Sequence, residues 1–246
     1  MGRERDLADF LSRRQFSVLF SGGKDSLATL LWVMENVDHD RWNVVYVVVP
    51  ENTHPLCTKY VANVCRELEI SEKLLCAMRT DIEFFDRLRT WGVPLFRKNR
   101  WCLWQFKMKV WKRCARPVQV CGHKRVDSPR RRNFGYIEIF RYERAIVVNP
   151  LLDWTDEMVI DFIKDHGIEL NPCYRMYGHS GNCMFCPYHT KDKIVRTLAD
   201  PVWREKIISA LLECKNIRSR IGNEIKRKWL SCARQTTILD YCKTDK

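Results

Sequence analysis

Residues 21–26 have the side chains and backbone freedom needed to bind a phosphate group. They are Ser21, Gly22, Gly23, Lys24, Asp25 and Ser26. The glycines allow a tight turn in which successive N–H groups can point inward as an anion-binding nest. The lysine can add a positive charge and the serines hydroxyl donors, while the aspartate can hold a magnesium ion or cap a helix. The alternative is an ordinary strand-to-helix turn.

Cys183 and Cys186 form a second motif in a turn-rich loop. Two thiolates at this spacing form a chelating hairpin, which is half of a metal site, or a redox dithiol. The chain has 12 cysteines in 246 residues. At this length, and without a signal peptide, the pattern favours metal or sulfur chemistry in a reducing compartment over disulfides.

Arginines are clustered directly after the apolar run 118–121, and Arg125 and Arg131 are candidates for catalysis together with Lys24 and Asp25. Open α/β sheets bind ligands at the carboxyl ends of their strands. A guanidinium group can hold phosphoryl oxygens as negative charge builds on them, so these arginines suit a reaction at phosphorus. A solvated basic loop is the alternative.

Residues 87–132 contain fifteen Lys or Arg and one acid, Asp127, in a chain of net charge +13. Cations that alternate with aromatic rings are typical of nucleic-acid grooves, because phosphates attract the charge and unpaired bases stack on the rings. Alternatively, some rings belong to the core and some arginines serve only a nucleotide. The aromatic residues of this stretch are Trp91, Phe96, Trp101, Trp104, Phe106 and Trp111.

Strands and helices that alternate along the chain must position these groups. Buried strands are predicted at 16–20, 42–49, 74–78, 118–121, 137–140 and 146–148, and helices at 27–35, 55–68, 82–89, 103–113 and 156–164. This order predicts an α/β fold, a Rossmann-like, mostly parallel sheet with helices on both faces. Only helices are predicted after residue 187, at 192–198, 202–212 and 217–229. We therefore expect a nucleotide-binding domain at 1–190 and a small C-terminal helical region at 191–246.

No apolar run approaches the roughly 20 residues of a membrane span. The charged N-terminus lacks the apolar region of a signal peptide. We therefore expect a cytoplasmic protein that does not interact with membranes.

The hexapeptide at 21–26 resembles the pyrophosphate-binding loop Ser-Gly-Gly-x-Asp-Ser of the N-type ATP pyrophosphatases, the PP-loop or adenine nucleotide alpha-hydrolase-like superfamily. The resemblance implies ATP and Mg²⁺ as ligands. It leaves the acceptor open, since the superfamily includes amidotransferases, tRNA-modifying enzymes and sulfonucleotide reductases.

Within this superfamily the chain resembles the PAPS and APS reductase family from about residue 16 to residue 187. The family pattern Gly-x-Arg-Arg-x-Glu/Asp-Ser-x-x-Arg follows the corresponding strand, and Lys124 replaces one of its arginines. Residues 51–54 resemble an Asp-Thr-Gly segment, which implies that Asn52 and Thr53 line the nucleotide pocket. Segments 149–155 and 171–174 also resemble the family. The residues on the longer pattern are Gly122, Lys124, Arg125, Asp127, Ser128 and Arg131.

The same resemblance indicates a partner for the cysteine pair. Iron-sulfur APS reductases carry a Cys-Cys pair at a similar distance before Cys-x-x-Cys, and here Trp101-Cys102 occupies that place. This implies that Cys102, Cys183 and Cys186 bind a 4Fe-4S cluster with one iron open to a ligand such as sulfide. Zinc on these three cysteines and His189 is the alternative, and Cys173 is a reserve fourth ligand.

The reductases attack sulfur with the cysteine of a Glu-Cys-Gly-x-His motif, and neither Cys232 nor Cys242 has these neighbours. The leading hypothesis is therefore an ATP-dependent sulfurtransferase that adenylates an oxygen of tRNA or DNA and replaces it with sulfur. Its sulfur donor would be a cysteine desulfurase or free sulfide, and a homodimer is one expected assembly. The alternatives are a PAPS or APS reductase that produces sulfite and a non-catalytic nucleotide- or nucleic-acid-binding module.

Overall fold

The computed structural model describes residues 2–95, 100–141, 144–214 and 219–241. Six strands form one sheet in the order β3-β2-β1-β4-β6-β5. The strands are β1 (Phe16–Leu19), β2 (Trp42–Val48), β3 (Leu74–Met78), β4 (Val118–Val120), β5 (Ile137–Phe140) and β6 (Ala145–Val148). β1 pairs in parallel with β2 and β4, and β4 pairs in parallel with β6. The predicted α/β class and mostly parallel sheet are confirmed.

The helices are α1 (Gly2–Ser12), α2 (Lys24–Asn36), α3 (Pro55–Glu67), α4 (Phe84–Trp91), α5 (Lys109–Cys114), α6 (Asp156–Asp165), α7 (Cys173–Tyr177), α8 (Lys191–Ala199), α9 (Pro201–Glu213) and α10 (Arg220–Tyr241). A π-helical turn, Leu103–Met108, directly precedes α5. Side-chain capping explains where two helices begin. The Thr155 side chain accepts the N–H of Met158 at the start of α6, and Asp200 caps α9 directly before a proline. No described helix is long and apolar enough to cross a membrane.

For two strands, β3 and β5, the prediction of burial was wrong. β5 is antiparallel to β6 at one end of the sheet, where Ile137 and Ile139 are exposed. β3 forms the other end, and Leu75 and Met78 are also exposed there. An edge strand has a sheet neighbour on one side only, so its apolar side chains need not be covered on both faces.

The contacts divide the chain into two compact units. Unit 1 comprises residues 1–47, 57–77 and 110–171, and it contains most of the sheet. Its core includes the fully buried side chains of Phe16, Val18 and Leu27.

Unit 2 comprises residues 48–56, 78–109 and 172–246. Its apolar core joins aromatic residues of the chain before residue 110 to the C-terminal helices, including Phe84, Phe106, Phe185 and Trp229. The predicted boundary at residue 190 therefore runs through one compact unit, because α8, α9 and α10 pack with segments from much earlier in the chain.

Candidate functional site

The phosphate-binding loop predicted at residues 21–26 lies between β1 and α2. Gly22 has a φ of +75°, and a Cβ atom there would lie 2.8 Å from the Cys57 Sγ atom. Both the left-handed backbone and the close packing therefore require glycine. The residue before α2 is Gly23. Because glycine has no side chain to cap the helix, it cannot block the positively polarised N-terminus from an anion.

Side-chain hydrogen bonds hold the loop closed in unit 1. The Ser26 hydroxyl donates to the Gly23 carbonyl at 2.8 Å and accepts the N–H of Ser21 at 3.1 Å. The hydroxyls of Ser21 and Ser26 lie 3.2 Å apart. The Asn171 amide donates to the Gly22 carbonyl at 3.0 Å. Sequence reasoning gave Asn171 no role, although it lies in a stretch that resembles the family.

Lys24, Asp25, Lys124 and Asp156 form a compact group that we call the lysine–aspartate cluster. The Lys24 Nζ atom lies 2.9 Å from Asp25 Oδ1 and 2.6 Å from Asp156 Oδ1. The Lys124 Nζ atom lies 2.6 Å from Asp25 Oδ1 and also contacts Asp156. The cluster thus joins the start of α2, the loop after β4 and the first residue of α6.

The pKa values follow from this arrangement. Hydrogen bonds from Lys124 and then Lys24 lower the pKa of Asp156 to about 2. Burial alone would lower the pKa of Lys24, but hydrogen bonds to Asp156 and Asp25 outweigh it and raise that pKa. Asp156 and Lys24 are therefore charged near neutral pH, and the cluster presents two lysine side chains at the phosphate-binding loop. Asp156 was missed because nothing in its local sequence distinguishes it from an ordinary acidic residue at a helix start.

Gly122 brings the loop after β4 against α2. A Cβ atom at this position would lie 2.5 Å from the Asp25 carbonyl oxygen and 2.9 Å from Thr29 Oγ1. No residue with a side chain fits without a backbone shift. The glycine therefore sets the distance at which Lys124 reaches the start of α2.

The two predicted catalytic arginines are each held by a carboxylate in unit 1. Arg125 contacts Asp153 and donates to the Phe134 carbonyl at 3.1 Å, while Arg131 contacts Asp127. The Ser128 hydroxyl accepts the N–H of Arg131 at 3.4 Å. Both guanidinium side chains remain 34% exposed, so they are oriented by protein groups and still accessible to a ligand.

His123 is a further candidate that sequence reasoning missed. Its Nδ1 atom lies 3.0 Å from Asn149 Oδ1. The Asn149 amide nitrogen donates to the Gly135 carbonyl, so the Asn149 oxygen faces the imidazole and accepts a hydrogen bond from the N–H at Nδ1. Burial, and then the charge of Arg131, lowers the pKa of His123 to about 4. The ring is therefore neutral at physiological pH.

In unit 2, Asn52 and Thr53 hold the loop that carries the cysteines. The Asn52 side chain is fully buried; it donates to the Phe185 carbonyl at 3.0 Å and accepts the Phe185 N–H at 2.7 Å. The Thr53 hydroxyl donates to the Asn182 carbonyl at 2.9 Å and accepts the N–H of Val49 at the same distance. These contacts give both side chains a structural role that the sequence did not indicate.

The thiols of Cys102, Cys183 and Cys186 lie close enough to influence one another's ionisation. Burial, followed by the nearby Cys183, raises the pKa of Cys102 to about 11 and also raises that of Cys186, while Lys107 acts in the opposite direction on both. Lys107 donates to the Asn182 side chain from the π-helical turn that begins directly after Cys102. Such turns occur often at functional sites.

Neither the three cysteines alone nor the alternative zinc set with His189 converges on a single metal-ion position among the described residues. In the described ranges no group of three or more His, Cys, Asp or Glu is arranged to hold a metal ion. The His189 ring instead stacks on His179 at a centroid distance of 4.3 Å. Among the residues described, its buried Nδ1 atom has no hydrogen-bond partner, and burial lowers its pKa to about 2.

The aromatic residues of the basic stretch do not share one environment. Trp101 and Phe106 are buried in the core of unit 2 and cannot stack on a ligand. This agrees with the alternative interpretation, in which some of these rings belong to the core. Trp91 is 41% exposed. Trp104 and Trp111 are half-buried, and Phe96 lies outside the described residues.

Comparisons with known proteins agree with this fold. Adenosine 5'-phosphosulfate reductase from Mycobacterium tuberculosis is 36% identical over 67 residues, which are 27% of this chain and 26% of that protein. The match therefore spans about a quarter of the length of the curated relative. The phosphate complex of phosphoadenylyl-sulfate (PAPS) reductase from Candida auris superposes with a TM-score of 0.51 at 14% identity, covering 70% of this chain and 83% of that one. This likeness shows the fold alone.

A family model described as the phosphoadenosine phosphosulfate reductase domain matches residues 15–188. The matched region contains the phosphate-binding loop, the lysine–aspartate cluster and all three candidate cysteines. The chain therefore belongs to the phosphoadenosine phosphosulfate reductase domain family and has the adenine nucleotide alpha-hydrolase-like fold.

Proposed function

We propose that the protein is an ATP-dependent sulfurtransferase that adenylates an oxygen of a nucleic acid and then replaces that oxygen with sulfur. The observation that carries the proposal is that the loop of Cys183 lies beside the turn after Cys102 in unit 2, where Lys107 donates to the Asn182 side chain and where Cys102 and Cys183 pack against the same core. Cys102 is far in sequence from Cys183 and Cys186, which are close together in one loop. Unit 1 contributes the groups suited to binding phosphates.

ATP is the first substrate in this scheme. The loop at residues 21–26 binds the β,γ-pyrophosphate with Mg²⁺, Lys24 and Lys124 neutralise its charge, and Asp25 is the candidate magnesium ligand. Phosphate oxygens would take over contacts that the two ammonium groups now make with Asp156. The exposed position of Asp156 on α6 permits this exchange, since its side chain is 59% exposed.

The acceptor oxygen then attacks the α-phosphorus, and the bond from that phosphorus to the pyrophosphate breaks. Arg125 and Arg131 stabilise the charge that develops on the phosphoryl oxygens. Their carboxylate partners, Asp153 and Asp127, orient the two guanidinium groups before substrate binds. The product is an adenylated acceptor. Sulfide then attacks the acceptor atom that bears the adenylated oxygen, and the bond from that atom to oxygen breaks, so that the oxygen leaves with AMP.

The three thiols fit an iron-sulfur cluster by their chemistry. Soft sulfur ligands on a partly apolar surface suit such a cluster, and Cys102 and Cys183 pack against the core of unit 2. In a cubane each cysteine binds a different iron, so its ligands need not converge on one ion. When bound, the cluster would carry a sulfide taken from the sulfur donor, while Asn52 and Thr53 fix the loop that holds Cys183 and Cys186.

Reduction of PAPS or APS is the second candidate, favoured by the family and by the identity to APS reductases. It requires a cysteine that can reach the sulfonucleotide. Cys232 is 1% exposed within α10 and is not accessible for this attack. Cys242 lies outside the described residues.

Pyrophosphate release from ATP in the presence of nucleic acid tests the proposal. Lys24→Ala and Asp25→Ala should abolish release, whereas Lys59→Ala, which removes an exposed lysine of α3 in the same unit, should not. Release that survives both loop variants would refute adenylation. Mass spectrometry should detect a thio-nucleotide, and sulfite formed from PAPS or APS and dependent on Cys242 would favour the reductase.

A further inference from the structure

We propose that unit 2 carries a stacking surface for unpaired nucleobases, formed by Arg100 with Tyr188 and by Arg87 with Trp91. Each pair places a guanidinium group over an exposed aromatic ring. The proposal specifies the acceptor of the proposed function as an unpaired base rather than a base in a duplex. Its link to sulfur transfer rests on that proposed function. Binding itself is tested separately from catalysis.

Arg100 and Tyr188 lie beside the cysteines. The guanidinium carbon of Arg100 is 4.9 Å from the centroid of the Tyr188 ring, and Tyr188 is 48% exposed. Arg100 precedes Cys102 by two residues, and Tyr188 follows Cys186 by two. A base on this ring would therefore lie next to the thiols.

Arg87 and Trp91 form the second pair, one turn apart on α4. The guanidinium carbon of Arg87 lies 4.4 Å from the Trp91 ring centroid. The Trp91 ring contacts Trp101 edge-on at 6.2 Å, and Trp101 is buried with its Nε1 donating to the Gly92 carbonyl at 3.0 Å. Trp101 directly follows Arg100, so this buried ring connects the two pairs and fixes Trp91.

The chemistry of the surface favours a nucleic acid over an apolar protein partner. The described residues of the range 87–109 include five Lys or Arg and no Asp or Glu, and of these Arg89 is paired with Asp86 and Glu213. Such a charge attracts phosphates, and exposed rings stack on bases of any sequence. Stacking requires bases that are not enclosed in a duplex, so loops and single strands are the expected ligands.

Fluorescence anisotropy with the full chain and no ATP tests the surface. The probes are an unstructured RNA oligonucleotide, a DNA oligonucleotide of the same sequence, and the corresponding duplexes. We expect tighter binding of the single strands, and Tyr188→Ala or Trp91→Ala should raise the dissociation constant about tenfold or more. Tyr188→Phe and Trp91→Phe keep the ring and should bind within about twofold of the unaltered chain.

Arg220→Gln, which removes one exposed charge from α10 in the same unit, controls for net charge and should have a much smaller effect. Circular dichroism should show that the alanine variants remain folded. The stacking surface is refuted if folded alanine variants bind as tightly as the unaltered chain, if duplexes bind equally well, or if the rings are needed for ATP and not for oligonucleotides. Stacking without any thio-product would refute sulfur transfer and leave the surface standing.

Discussion

The ammonium group of Lys124 lies 2.6 Å from the Asp25 carboxylate, with none of the lysine side chain exposed to solvent. A buried charge is tolerated only when it is paired, because its desolvation otherwise costs several kcal/mol. Asp25 and Asp156 provide this pairing. The contact therefore fixes the loop after β4 against the phosphate-binding loop within unit 1.

Asp156→Asn should lower stability in a pH-dependent way. The folded-state pKa of Asp156 is about 2, below its ordinary value of 3.8. Its contribution is therefore fully present above about pH 5 and is lost as the pH falls towards 2. The carboxylate is largely exposed, so we expect an effect of at most about 1 kcal/mol at pH 7.

Urea unfolding at pH 7, 4 and 2.5 measures this effect. Asp161→Asn on the same helix, whose partner Lys164 is 3.6 Å away and exposed, is the matched control and should change little at any pH. A difference between Asp156→Asn and the unaltered chain that grows in acid would contradict the assignment.

Gly122→Ala should destabilise unit 1, because its Cβ atom would lie 2.5 Å from the backbone oxygen of Asp25. Overpacking of this kind costs about 1–3 kcal/mol. Gly135→Ala is the control, since its nearest contacts are at 3.3 Å and include the flexible end of Glu138. Thermal and urea unfolding measure both variants, and equal losses of stability would show that the close approach is not limiting.

Asn52→Ala should destabilise unit 2 by about 2–4 kcal/mol, because it leaves the buried N–H and carbonyl of Phe185 without their partners. Asn52→Asp keeps an acceptor for the N–H but cannot donate to the carbonyl. Because it also places an unpaired carboxylate at a fully buried site, it should be at least as unstable as the alanine variant at pH 7. If both substitutions are silent in urea unfolding, Asn52 does not hold the cysteine loop.

Replacing Cys102, Cys183 or Cys186 with serine should remove iron and acid-labile sulfide from anaerobically purified protein. Cys65→Ala is the control, since Cys65 is fully buried in α3 of unit 1. Elemental analysis, sulfide assay and the visible spectrum give the result. Stoichiometric zinc without labile sulfide, or full iron content in all three serine variants, would exclude the cluster.

The sequence predicted the sheet well, since its strands and most helices lie within about two residues of the observed ends. The physical reason is that parallel strands buried between helices need continuous apolar runs, and such runs can be recognised in the sequence alone. Helix α1 was not predicted, since its sequence indicated only a charged N-terminal segment. The burial of β3 and β5 was wrong because apolar composition does not reveal a strand's position in the sheet.

Only the part of the site that consists of contiguous sequence motifs could be predicted. The loop at residues 21–26 is contiguous, so its residues can be recognised without a structure. Asp156 is 131 positions after Asp25, and only the fold brings the two carboxylates to the same lysines. Asn52 likewise resembled a ligand-binding residue, whereas its polar atoms bond to the backbone of Phe185.

The complete burial of Lys124 has a practical use. Amine-reactive reagents modify lysines that solvent can reach, so they should label the partly exposed Lys24 long before Lys124 in the native protein. The rate at which Lys124 acquires label, followed by peptide mass spectrometry, would report how often this part of unit 1 opens. Ligands that slow the labelling could then be ranked without any assay of turnover.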